Sequence, residues 1–221
     1  MLEITQNSLF VIPALRECKR IIVFDGVHYN QRYRALSYAL FIRNVINLTL
    51  ENPAFSNTTL VINREHKHLA NSLREAIQLV DTPYVFVHQH DFFLARPFDI
   101  VKLIESMDHN PNLKHIRLNR TQTEPNEWDG QIDNVIVGGS EVPLTRTFGW
   151  SDNDHIARTD YYHNFVLPKI EWNGAMEWFL HDPQKIYQDH PSYGTYIYGE
   201  IHERPYILHL DGKSYMQHDR R

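Results

Sequence analysis

HLANSLREAIQLVDTPYVFVHQHD, residues 68–91, carries a helix, a stop and a strand in one unbroken run. Leu69, Leu73 and Ile77 recur at i, i+4 and i+8, an apolar stripe that predicts a helix over residues 66–80. Thr82-Pro83 ends it, because the residue before a proline is driven out of helical geometry. Residues 84–89 (YVFVHQ) then read as a strand, apolar almost throughout, as a strand covered on both faces must be. The run finishes in His88-Gln89-His90-Asp91, a polar cluster at the strand's carboxyl end.

The same alternation extends in both directions. Residues 20–25 (RIIVFD), 58–62 (TTLVI) and 114–118 (KHIRL) are further strands. Helical patterns lie between them, over residues 31–47 with Tyr33, Leu36 and Leu40 inward, and after Pro97 with Val101 and Ile104 inward. Strand, helix and strand in series predict an α/β fold of the Rossmann-like kind, with a mostly parallel central sheet flanked by helices. Beyond Leu118 the chain is less regular, polar over residues 121–130 and punctuated by Gly138-Gly139 and Pro143. A helix is expected around residues 173–180 and short strands at 195–198 and 206–210. No repeat or linker divides the chain, so residues 1–221 read as a single domain, with halves of about 1–118 and 119–221.

Composition bounds the function. The 221 residues are 42% hydrophobic and 22% charged, the balance of a globular protein. Lys plus Arg number 22 against 27 Asp plus Glu, a net charge of −5 that disfavours a nucleic-acid partner. The one cysteine, Cys18, can form neither an intrachain disulfide nor a cysteine-rich zinc site. Residues 9–15 are too short for a membrane span, carry Pro13 and lack a basic lead, so a cytoplasmic location is expected. Histidine is the outlier: 14 residues, about three times an ordinary share, make metal binding worth testing.

In open α/β sheets ligands bind beyond the carboxyl ends of the strands. That rule selects Asp25-Gly26, Asn63-Arg64-Glu65 and the cluster ending in Asp91. Asp25 also suits a plain turn, since Asp-Gly is a turn dipeptide. Trp128, Trp150, Trp172 and Tyr161-Tyr162 suit either sugar stacking or core packing. Asp152, Asp154 and His155 form a polar group suited to acceptor hydroxyls or to capping a helix after them.

The order of these features resembles the GT-A fold glycosyltransferases, especially the small family-2-like enzymes. The resemblance rests on IIVFDG at 21–26 and on residues 68–91, and it is looser after residue 118. It implies that Asp25 contacts the nucleoside and that Arg64 and Asn71 line the nucleotide pocket. It makes Asp91 the last acid of an Asp-x-Asp motif that binds nucleotide and metal. Gln89 stands where the first acid belongs and His90 in the middle, so one carboxylate remains, with His90 an added metal ligand. Residues 148–153 (FGWSDN) resemble the family's glycine loop, Glu177 in GAMEW its acidic catalytic position, and His209 in YILHLDG its late metal ligand.

The resemblance implies an inverting glycosyltransferase that moves a sugar from a nucleoside-diphosphate sugar to a glycan or glycoconjugate hydroxyl. Mn²⁺ or Mg²⁺ at Asp91 and His209 would assist it, or the reaction runs without metal. Glu177 is expected as the base, with Asp152 as competitor. A metal-dependent hydrolase built on His88-x-His90-Asp91 and a non-catalytic sugar-binding module are the alternatives.

Overall fold

A computed structural model describes residues 1–135, 142–171 and 175–210. In chain order the elements are α1 (Leu2–Ser8), α2 (Pro13–Arg16), β1 (Arg20–Phe24), α3 (Ala35–Glu51), β2 (Thr58–Ile62), α4 (His68–Ile77), β3 (Tyr84–Val87), β4 (Phe92–Leu94), α5 (Ile100–His109) and β5 (His115–Arg117). Then come β6 (Asp133–Val135), β7 (Leu144–Arg146), β8 (His155–Arg158), α6 (Thr159–Tyr161), α7 (Leu167–Lys169), α8 (Met176–Tyr187), α9 (His190–Tyr193), β9 (Thr195–Tyr198) and β10 (Ile207–His209).

The expected mostly parallel central sheet is not what forms. The main sheet has six strands in the order β3-β8-β5-β9-β7-β6, and among its pairs only β5–β9 is parallel. Two smaller sheets complete the structure, parallel β1–β2 and antiparallel β4–β10. The cause is β8. Both β3 and β5 run antiparallel to it, so they point the same way, as a strand–helix–strand crossover through α5 requires. They are not neighbours, because β8 enters from the later half and pairs with both.

Side-chain alternation explains why the strands look apolar throughout. On β3, Tyr84 and Phe86 pack into one cluster while Val85 and Val87 pack into the other. On β8, Ile156 and Ala157 divide in the same manner. One face is covered by α5 and the α1–α2 segment, through Leu103, Met107, Leu9, Ile12 and Leu15. The other is covered by α4, α8 and the chain between β8 and α8, through Ile77, Leu180, Tyr162 and Val166.

A third cluster joins β1 and β2 to α3, through Phe24, Val45, Phe55, Tyr38, Ile42 and Leu48. The expected inward set of α3 is thereby overturned: Tyr33, Leu36 and Leu40 are exposed. Leu69 and Val101 are exposed as well, and α5 turns Ile100, Leu103 and Met107 inward instead. Among the described residues no helix is long and apolar enough to cross a membrane.

Candidate functional site

The polar residues beyond β3 are assembled by strand pairing. Val87 at the end of β3 pairs with His155 at the start of β8, so residues 88–91 lie beside residues 151–154. Hydrogen bonds join the two segments. The Gln89 backbone N–H donates to Asp154 Oδ1 at 2.9 Å, and Gln89 Nε2 donates to the Asp152 carbonyl at 2.8 Å. The Leu118 N–H donates to the Asp154 carbonyl at 2.7 Å, which ties in the end of β5.

Asp152 and Glu177, the two base candidates, meet here although they lie far apart in the chain. Ser151 Oγ donates to Glu177 Oε1 at 3.1 Å, anchoring the first turn of α8 beside the loop that carries Asp152. Burial above all, then the Glu177 charge and a hydrogen bond between the two carboxyls, pushes the Asp152 carboxyl up to about 7. Two carboxyls in contact hold one proton between them more readily than they bear two charges. Near neutral pH the pair can accept or release that proton.

Asp91 and His209 also meet. Antiparallel pairing of β10 with β4 sets His209 opposite Phe92, and the Leu210 N–H donates to the Asp91 carbonyl at 2.8 Å. His209 Nε2 then stands 3.0 Å from Asp91 Oδ2. Asp91 Oδ1 is buried and accepts no hydrogen bond among the described residues, so its lone pairs remain open to a cation or to a hydrogen-bond donor. Among the described residues no three His, Cys, Asp or Glu side chains converge on one point. His90 is exposed, and its carbonyl accepts from Thr5 Oγ1 at 3.2 Å.

Asp25 is occupied by its own chain. Oδ1 accepts from the Gly26 N–H at 2.8 Å and the Lys67 N–H at 2.6 Å, while Oδ2 accepts from the His68 N–H at 3.0 Å and faces His66 Nδ1 at 2.7 Å. It thus caps α4 from a distance and holds His68 at φ 63, a left-handed conformation that costs a non-glycine residue. Gly26 permits the close approach, since a Cβ there would lie 2.1 Å from the Glu65 carbonyl carbon. Arg64 is exposed on the preceding loop, and Asn71 accepts from Arg74 at 2.7 Å.

Several polar candidates belong to the core instead. Asp154 is fully buried and accepts from both the Gln89 N–H and the His88 ring, whose Nδ1 lies 2.5 Å from Oδ2. His155 is fully buried, bonded through Nε2 to the Tyr162 hydroxyl at 2.5 Å and stacked on His115. The chain continues from them as strand β8, so neither caps a helix or faces an acceptor. Trp150, Tyr161 and Tyr162 pack in the interior, whereas Trp128 is exposed and stacks on His181. Trp172 and Gly138-Gly139 lie outside the described residues. Nothing in the sequence marks Ser151 as a partner of Glu177 or His88 as a partner of Asp154, because no spacing links positions so far apart.

No protein-family model matches the chain, and no curated protein matches it. Among solved structures, HddC from Yersinia pseudotuberculosis is similar at a TM-score of 0.38 and 13% identity, over 84% of this chain and 83% of that one. A likeness at that level carries no inference about fold or activity, and the functional reading rests on the site itself.

Proposed function

We propose that the protein is an inverting glycosyltransferase, moving a sugar from a nucleoside-diphosphate sugar to a hydroxyl of a glycan or glycoconjugate. The observation that carries this reading is the Asp152–Glu177 pair, poised to exchange a proton near neutral pH at the carboxyl end of β3. In the reaction the acceptor oxygen attacks the anomeric carbon and its proton passes to the carboxylate pair. The bond from that carbon to the diphosphate breaks, and its electrons leave with the phosphate oxygen. Glu177, at the start of α8 and half-buried, is the residue assigned to take the proton, and Asp152 modulates it.

Asp91 Oδ1 and His209 Nε2 are the atoms suited to hold Mn²⁺ or Mg²⁺, an oxygen and an imidazole donor that leave substrate oxygens to complete the shell. Bound there, such an ion would offset charge on the departing diphosphate. The hydrolase alternative is weakened because His90 is exposed and no three His, Cys, Asp or Glu side chains converge around His88 among the described residues. Melting temperature measured with each nucleoside diphosphate, with and without Mn²⁺, tests the donor assignment. The expected result is a rise that Mn²⁺ enlarges and that Asp91→Ala abolishes. An unchanged rise in Asp91→Ala removes Asp91 from the site.

A further inference from the structure

Helix α3 carries apolar residues on both sides, yet among the described residues only one side has a partner. Its inner face, Tyr38, Ile42, Val45 and Leu48, packs on β1 and β2. Its outer face carries Leu36, Leu40, Arg43, Asn47 and Leu50 at i, i+4, i+7, i+11 and i+14, a single stripe down the helix. Leu36 is 76% exposed and Leu50 82%, and Tyr29 and Tyr33 on the turn leading into α3 are 68% and 77% exposed. A helix with apolar residues on both sides is ordinarily covered on both, and the exposed Leu36, Leu40, Leu50, Tyr29 and Tyr33 on this side of α3 and the turn before it mark an interaction surface.

Charge selects the occupant. Residues 26–50 contain no Asp or Glu, in a chain that has 27 of them and a net charge of −5. The same stretch holds Arg32, Arg34 and Arg43, all exposed, and none of the three forms an ion pair among the described residues. The Arg34 guanidinium instead lies over the exposed Tyr33 ring, 5.4 Å from its centre. An isologous contact with a second copy would set this basic face against itself. Leucines on one stripe, tyrosines at its end and unopposed arginines around it fit the headgroup boundary of an anionic bilayer, where arginine stems extend outward and tyrosine rings settle.

We infer that the outer face of α3, with the turn before it, docks the protein on an anionic lipid surface. This placement does not depend on the reaction proposed above. It is tested by co-sedimentation of the full chain with vesicles of phosphatidylcholine alone and of phosphatidylcholine with phosphatidylglycerol, at low and high salt. Binding is expected to the phosphatidylglycerol vesicles, weakened by salt, and reduced by roughly 100-fold in the triple variant Arg32→Gln, Arg34→Gln, Arg43→Gln. The variant Leu36→Ser, Leu40→Ser, Leu50→Ser should also lose binding while keeping the wild-type circular dichroism spectrum. If the serine variant misfolds, the glutamine variant alone decides, since its side chains pack against nothing in the core. No binding to either vesicle, or equal binding to both, overturns the inference. A dimer in light scattering that the leucine substitutions dissociate, without vesicle binding, assigns the face to a second copy instead.

Discussion

At the scale of single residues, the proposed chemistry turns on a proton shared by Asp152 and Glu177. Glu177→Gln keeps the shape and removes the charge, so transfer should fall by on the order of 10²- to 10⁴-fold while nucleotide affinity stays near wild type. Equal transfer by Glu177→Gln, with loss in Asp152→Asn, would exchange the two roles. A different residue, Asp154, is expected to matter for stability. Asp154→Ala leaves the His88 Nδ1 and the Gln89 N–H without their buried partner, at a cost of about 1–3 kcal/mol for each group, which a urea midpoint would register. In the sequence Asp91 and Asp152 are visible within short polar clusters, and His209 and Glu177 as single polar residues among apolar ones. Their pairing is not, because it is created by β8 against β3 and by β10 against β4. Nor does sequence distinguish Asp152 from Asp154, two residues apart, of which one faces Glu177 and the other is sealed in the core.

At the scale of elements, long periodic segments are legible and the way they pair is not. The strand–helix–strand signature implies that β3 and β5 run in the same direction, and they do, but periodicity says nothing about which strand lies between them. The intruder β8 has only four residues, His155–Arg158, and begins on a buried histidine that reads as polar. In α3 the inward stripe is hidden for a related reason: with apolar residues on both faces, the pattern does not choose between Leu36-Leu40 and Tyr38-Ile42-Val45. The start of α4 makes a testable case. Asp25→Ala removes the acceptor for the Lys67 and His68 N–H groups and the restraint on a left-handed residue. A loss of about 1–3 kcal/mol is expected, with amide exchange accelerating first in α4. Unchanged exchange there would show that the helix start is held by other contacts.

At the scale of the whole molecule, buried histidines set the response to acid. Burial holds His155 down to about 4 and His115 well below its ordinary value, and it lowers His181 and His190 too. Each is depressed in the folded state, so between the folded and unfolded values the unfolded chain binds more protons, and stability is lost as pH falls below about 6.5. Asp152 works in the opposite sense: its raised value means the folded chain holds the extra proton, so its contribution weakens as pH rises from about 4 toward 7. Four groups outweigh one, and the melting temperature should drop from pH 7 to pH 4.5, more steeply in Asp152→Asn than in wild type. A flat profile would mean that these imidazoles gain protons without unfolding the core around them. Transfer from a nucleotide sugar, with Glu177 taking the proton, is open to a decisive assay: nucleoside-diphosphate release from a panel of nucleotide sugars, followed for wild type and Glu177→Gln. Wild type should release the diphosphate from at least one donor, and the variant should be slower by at least about 10²-fold; no release from any donor, or equal rates in the two proteins, would contradict the proposed reaction.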